Sequence, residues 1–275
     1  MKFGISTFVT DEGIGAAELG RAVEERGFDS LFVAEHTHIP VSRESPYPGG
    51  GDLPRIYYRT LDPFVTLTAA AVVTERILLG TGIALVTERD PIHTAKEVAS
   101  LDVVSGGRAA FGVGAGWNRE EMRDHGTDPT TRGKLMDERL RAIKELWTKD
   151  EAEFHGRFVD FDASYAWPKP VQRPNPPIYV GGGSDGALNR LAELGDVWMP
   201  NAARAEDLAA GIARMREGAG REVPVATYGT RPKADVIEQY AELGVDRVLL
   251  YLPTVPHDES LSRLDHLAEL ARSFA

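Results

Sequence analysis

The chain contains no cysteine. That excludes disulfide bridges and thiolate chemistry and points to a reducing cytoplasm. Long apolar runs are missing too. None approaches the roughly 18 residues that a membrane span needs. The opening MKFGISTFVTDEG turns polar too soon for the apolar region of a signal peptide. Basic clusters are equally scarce: the formal net charge is −11, and Lys and Arg are scattered. A nucleic-acid surface needs a concentrated positive footprint, so that class of partner is excluded, and a membrane partner with it. What is present is an apolar share of 42% in 275 residues, enough for a large core. The expectation is a soluble, cytoplasmic protein acting on a small-molecule substrate.

Short apolar, β-branched runs alternate with longer amphipathic ones. Strands are expected at residues 2–7, 30–35, 77–85, 108–116, 178–182, 196–200, 223–228 and 247–252. Helices follow each of them. One begins at Asp62, an N-cap residue with Pro63 in the first helical position. Alternation of this kind implies a parallel sheet, and strands apolar on both faces imply a sheet covered on both sides. Eight repeats near the typical barrel length of about 250 residues favour a single α/β domain over residues 1–275. It would be a (β/α)8 TIM barrel with loop insertions at the C-terminal face. An open doubly wound sheet is the rival. The polar stretch 37–60 and an aromatic hairpin at 153–165 read as lids over a site.

The fourth strand carries GGRAAFGVGAGWNREE, with Gly112, Gly114 and Gly116 on one face. The G-x-G-x-G spacing and its place in the chain do not suit a dinucleotide fingerprint. Glycine in a strand marks close approach by another group. That group is either packed protein or a ligand. The third strand adds Gly80 and Gly82 around Thr81. Bare positions on neighbouring strands suggest a flat ligand lying against the barrel mouth.

At the end of the second strand stands AEHTHIP, with Glu35, His36 and His38. An imidazole at a barrel rim is a candidate proton donor or acceptor. A metal site would need further ligands at later strand ends, and none of the other histidines falls there, so no metal is assigned. His38 reads as a solvated loop residue. The fifth strand ends in YVGGGSDGALNRLAELGD, where free amides at a helix N-terminus make an anion site or an ordinary capped turn. Arg231 and Lys233, after the seventh strand, read as capping and solvating residues.

PIHTAKEVASLDVVSGGRAAFGVGAGWNREEM, with AEHTHIP and PIYVGGGSDGALNRLAELGDVWM in the same order, resembles the bacterial luciferase-like monooxygenase and F420-dependent oxidoreductase superfamily. The resemblance implies a barrel holding an isoalloxazine-like ring at its C-terminal mouth. A bulge behind the ring, often with a cis peptide, maps onto Thr81, Gly82 and Ile83. The superfamily's acid–histidine pair maps onto Glu35 and His36, with His36 moving a proton and Glu35 orienting it. The glycine-rich strand maps onto Gly114, Ala115, Gly116, Trp117 and Asn118. The phosphate loop maps onto Gly182, Gly183 and Ser184. Thr7, at the end of the first strand, would face ring or substrate. FMN luciferases place an arginine where this chain has Ala115, which favours the deazaflavin F420 over FMN. The implied activity is hydride transfer to or from a small organic molecule. The alternative is FMN-dependent monooxygenation with oxygen, the reduced cofactor coming from a partner reductase. The resemblance also implies a homodimer packed through the second and third helices. A metal-dependent barrel hydrolase and a cofactor-binding protein without turnover are the readings from other classes.

Overall fold

Strands that are apolar on both faces need cover on both faces, and here the two covers differ. Inward side chains meet one another across a narrow lumen, whereas outward ones meet a ring of helices. The computed structural model describes residues 1–274. Its elements are β1 (Lys2–Thr7), α1 (Ala16–Glu25), β2 (Ser30–Val33), α2 (Pro63–Ala71), β3 (Leu78–Thr81), β4 (Ala84–Leu85), α3 (Pro91–Val104) and β5 (Ala109–Gly114). Then come α4 (Arg119–Asp124), α5 (Arg132–Thr148), β6 (Glu151–His155), β7 (Asp160–Tyr165), β8 (Ile178–Gly181), α6 (Asp185–Leu194) and β9 (Val197–Met199). The last are α7 (Ala205–Ala219), β10 (Ala226–Thr230), α8 (Ala234–Glu242), β11 (Arg247–Tyr251) and α9 (His257–Arg272).

The parallel staves run β10-β11-β1-β2-β3-β5-β8-β9, with β4 also on β5. Parallel bridges Trp198–Val225 and Asn201–Tyr228 join β9 to β10 and close the ring. This is the expected barrel, and the open sheet is overturned by those bridges. Phe32, Ala110, Tyr179, Met199 and Leu249 fill the lumen. Their chain neighbours Leu31, Val33, Ile178, Val180, Val248 and Leu250 pack outward on the helices. The period-two pattern of a strand therefore sorts each stave between two cores.

Local chemistry fixes where helices begin. Asp62 accepts from the amides of Phe64 and Val65 at 2.9 and 3.0 Å, and Pro63 opens α2. Asp90 and Pro91 do the same for α3. Beyond α2, the Glu24 carboxylate of α1 accepts from the amides of Glu75, Arg76 and Ile77. Arg108 closes the same corner by donating to the carbonyls of Ala71, Thr74 and Ile77.

Two expectations change. The third strand is not continuous: it breaks at Gly82–Ile83, a cis peptide bond, into β3 and β4. The hairpin is present as antiparallel β6–β7, but it is no lid. It lies along α5, where Glu138 accepts from the amides of Phe158 and Val159 at 2.7 and 3.3 Å. Among the described residues no helix is long and apolar enough to cross a membrane.

Candidate active site

A cavity of about 410 Å³ opens at the C-terminal ends of the staves. Such ends are where barrel enzymes carry their chemistry. Its wall takes Glu35 and His36 from the end of β2, and Gly82, Ile83 and Leu85 from the broken third stave. Gly114, Ala115, Gly116 and Trp117 come from the end of β5. Gly182 and Ser184 come from the loop into α6.

His36 is buried, and its Nδ1 lies 2.7 Å from Oε2 of Glu121, which is itself fully buried. The ring is bracketed by Tyr57 and Trp117, with centroids at 5.2 and 6.0 Å. One nitrogen is thus held by a carboxylate, which leaves Nε2 as the nitrogen free for chemistry. Glu35 does not reach its neighbour's ring. Its carboxylate accepts from Leu85 N at 2.7 Å and from Arg89 Nε at 2.6 Å. It therefore ties the end of β2 to β4 and to the start of α3. Burial works against the guanidinium of Arg89, but Glu35, Glu97 and Asp62 outweigh it and raise its pKa. The orienting carboxylate on His36 belongs to Glu121, a residue the sequence reading did not single out. Its one signal was an acid in the first turn of the helix after GAGW.

The strand glycines are bare for a different reason from the one expected. A Cβ at Gly112 would overlap the carbonyl oxygen of Thr81, and one at Gly80 would overlap the ring of Phe32. A Cβ at Gly114 would overlap Ile83, and one at Gly82 would meet Tyr228. Protein atoms, not a ligand slot, occupy the cleared space. Gly114 lets Ile83 fold down onto β5, and Ile83 then forms part of the cavity wall.

Four of the sequence candidates do not line the cavity. Thr7 donates its hydroxyl to Leu252 O at 2.8 Å, and Thr81 donates to Gly112 O at 2.6 Å. Both satisfy neighbouring staves. Asn118 caps α4, its Oδ1 accepting from Glu121 N at 3.3 Å. Gly183 lies in the loop beside the wall residues Gly182 and Ser184. That loop keeps open backbone: a Cβ at Gly183 or Gly186 would meet nothing within 4 Å. Ser184 caps α6, and neither Gly183 nor Ser184 donates a hydrogen bond from its backbone amide among the described residues. Free amides at a helix start suit an anion.

Phe8, Tyr57, Arg132, Arg190, Asn201 and Tyr228 also line the cavity. Sequence spacing gave no sign of them, because each arrives from a different loop, stave or helix. Arg190 is neutralised by Asp137 at 2.5 Å. Among the described residues Arg132 is hydrogen-bonded only to the carbonyl of Pro129, at 2.7 Å, which leaves its charge unpaired there. Burial raises the pKa of Tyr57 and Tyr228, so both phenols are neutral near pH 7. His38 turns from the cavity to Asp124 at 3.0 Å, so the two histidines of AEHTHIP diverge. Among the described residues no group of three or more histidine, aspartate or glutamate side chains is placed to hold a metal ion.

A closed barrel whose cavity is walled by a carboxylate-held histidine and by a loop of free amides defines an enzyme of the α/β-barrel class. The luciferase-like monooxygenase family model matches residues 1–271. An uncharacterized protein of Mycobacterium tuberculosis is 41% identical over 277 residues, covering 98% of each chain. The solved structure of monooxygenase RslO1 from Streptomyces bottropensis superposes with a TM-score of 0.83 at 20% identity, covering 100% of both chains. The coenzyme F420-dependent tetrahydromethanopterin reductase from Methanopyrus kandleri superposes with a TM-score of 0.77 at 19% identity, covering 99% of both. The chain belongs to the luciferase-like monooxygenase family and is an oxidoreductase of that family.

Proposed function

We propose that this chain is an F420-dependent oxidoreductase that moves hydride to or from a small organic substrate, with His36 giving or taking the accompanying proton. The carrying observation is the facing pair: His36 clamped by Glu121 on one wall, the open Gly182–Ser184 loop at the start of α6 on the other. The cavity volume, about 410 Å³, falls in the range of small-molecule sites. Its wall suits a flat heterocycle with an anionic side arm. Ile83, Leu85 and Trp117 offer apolar contact for a ring; the free amide of the wall residue Ser184, with Arg132, offers charge for a phosphate. When bound, a deazaflavin supplies the hydride; the protein supplies position and protons.

The chain's own residues divide the remaining work. Glu121 fixes the orientation of His36 and balances positive charge on its ring. Glu35, through Leu85 N and Arg89, holds the broken third stave against the end of β2. Tyr57 and Trp117 shield the imidazole from water. Tyr228 and Asn201 face the cavity with neutral polar groups suited to a substrate oxygen. Ala115 in the wall is the ground for F420 over FMN, since no arginine stands there for a flavin phosphate. Arg132 is the observation that favours the alternative, reduced FMN with a partner reductase as supplier. We also propose a homodimer, from the exposed Val65 of α2, the exposed Val72 that caps its C-terminus, and the exposed apolar Ile92, Val103 and Val104 of α3.

Titration of the protein with F420 and with FMN, followed by fluorescence, tests the assignment. Micromolar binding of F420 and weaker binding of FMN are expected, and binding of neither cofactor overturns the function. His36→Asn should lower turnover by about 10²–10⁴ with little change in cofactor affinity. Equal loss of both would return His36 to a packing role.

A further inference from the structure

Beneath His36 lies a buried polar cluster that the proposed reaction does not use. Six buried side-chain polar atoms lack a hydrogen-bond partner among the described residues, and all but Thr66 Oγ1 belong to Glu88, Asn118, Glu121 and Arg139. Glu121 spends Oε2 on His36, and its Oε1 has no partner. Both oxygens of Glu88 are in the same position, although the residue is 8% exposed. Glu88 sits directly under the cavity wall: a Cβ on Gly116 would lie 3.3 Å from its Oε1.

Two carboxylates buried side by side cannot both stay charged without compensation. The groups facing Glu88 are Glu121 of α4, Glu35 at the end of β2 and Arg139 of α5. Arg139 donates to Val86 O at 2.8 Å, and its Nε has no partner. Arg89, the next residue, turns away to Glu35, Asp62 and Glu97. Three carboxylates therefore gather here, Glu88, Glu121 and Glu35; Glu35 is already matched by Arg89, and Arg139 is the one cation acting on Glu88. A proton on Glu88 resolves the imbalance. It also gives the orphan Oε1 of Glu121 the donor it lacks.

We propose that Glu88 is a positioning residue for the His36 proton: as a carboxylic acid it donates to Glu121 and limits to one the negative charge that the buried pair presents to Nδ1 of His36. Burial, then the charges of Glu121 and Glu35, push the Glu88 pKa up to about 9, in keeping with this state at neutral pH. Above that range Glu88 ionises and a second charge accumulates below the imidazole. The inference rests on the reading of His36 as the proton-handling group, but its test does not.

The test is an NMR titration of the His36 ring signal in the cofactor-free chain. Wild type should show an inflection on the alkaline side of neutrality, reporting Glu88. Glu88→Gln, neutral and isosteric, should lose that inflection while keeping the histidine's own titration. Glu121→Gln removes the neighbouring charge and should move the inflection towards neutral pH. An inflection that survives in Glu88→Gln, or that wild type lacks, overturns the proposal whichever cofactor the protein takes. Should Glu88→Gln fold poorly, the Glu121→Gln shift decides alone: no movement of the inflection overturns it. In turnover, the alkaline limb of the kcat/KM profile should disappear in Glu88→Gln. Retention of that limb with the NMR inflection gone would count against His36 as the proton carrier, not against the Glu88 pairing.

Discussion

At the scale of single residues the site turns on one buried imidazole and the carboxylate that holds its Nδ1. His36 was legible because a histidine at a strand end has one face of the barrel to occupy. Its partner was not, because Glu121 lies 85 positions away and is aimed by the short turn after Gly116. The hydroxyls of Thr7 and Thr81 were unreadable for a similar reason: each finds a carbonyl on an adjacent stave, which strand pattern alone does not reveal. The glycines of β5 separate two outcomes. At Gly112 an added methyl meets backbone, the Thr81 carbonyl, which cannot step aside. Gly112→Ala should therefore destabilise by about 1–3 kcal/mol or prevent folding. At Gly114 it meets the far end of the Ile83 side chain, which can turn. Gly114→Ala should melt close to wild type yet bind cofactor more weakly, because Ile83 is driven into the cavity. Calorimetry with a binding titration distinguishes the pair. Glu88 also has a stability signature. Its folded pKa, about 9, lies above the unfolded value, so stability is greatest at acid pH and falls as pH rises through that window. Thermal melts of Glu88→Gln should exceed wild type by a margin that widens from about pH 5 towards 9, on the order of 1–3 kcal/mol at neutrality.

Elements were the most legible level, because each announces itself by period and cap. Asp62–Pro63 and Asp90–Pro91 start helices where N-cap chemistry requires. What the sequence could not disclose is how a helix end is tied to the next stave. Glu24 illustrates it. Burial works to raise its pKa, but the amides of Arg76, Glu75 and Ile77 outweigh burial and hold it below the ordinary value. The stabilisation it gives is present above the unfolded carboxylate pKa, near 4.3, and is lost as pH falls through the folded one. Glu24→Gln should cost about 1–3 kcal/mol at pH 7 and show a smaller loss of stability on acidification, read from denaturant melts across pH 3–7. The hairpin β6–β7 carries the opposite lesson. Its aromatic alternation marks it as strand, but alternation does not show where it docks: Glu138 holds its amides against α5 and Ala152 is buried in the core.

At the scale of the whole molecule, closure of the barrel follows from staves that are apolar on both sides, and the mouth follows from closure. The exposed Val65 of α2 and Val72, seven residues on at its C-cap, give the proposed dimer its test. Val65→Glu with Val72→Glu should produce a monomer by light scattering with cofactor binding retained. Unchanged mass would place the interface elsewhere. One further consequence concerns the segment between β2 and α2. Near one margin it is fastened to α4, through Thr37 to His125 and, buried, through Ser45 to Glu120. Near the other it meets the loop after β1 through Arg55 to Glu12 and the Thr10–Thr60 bridge. The strap is thus buckled at both ends. Tyr57, the half-buried phenol of that strap, stands in the cavity wall beside His36. Turning of that ring about its own bonds belongs to the fast end of protein motion, whereas parting the strap requires its backbone to move.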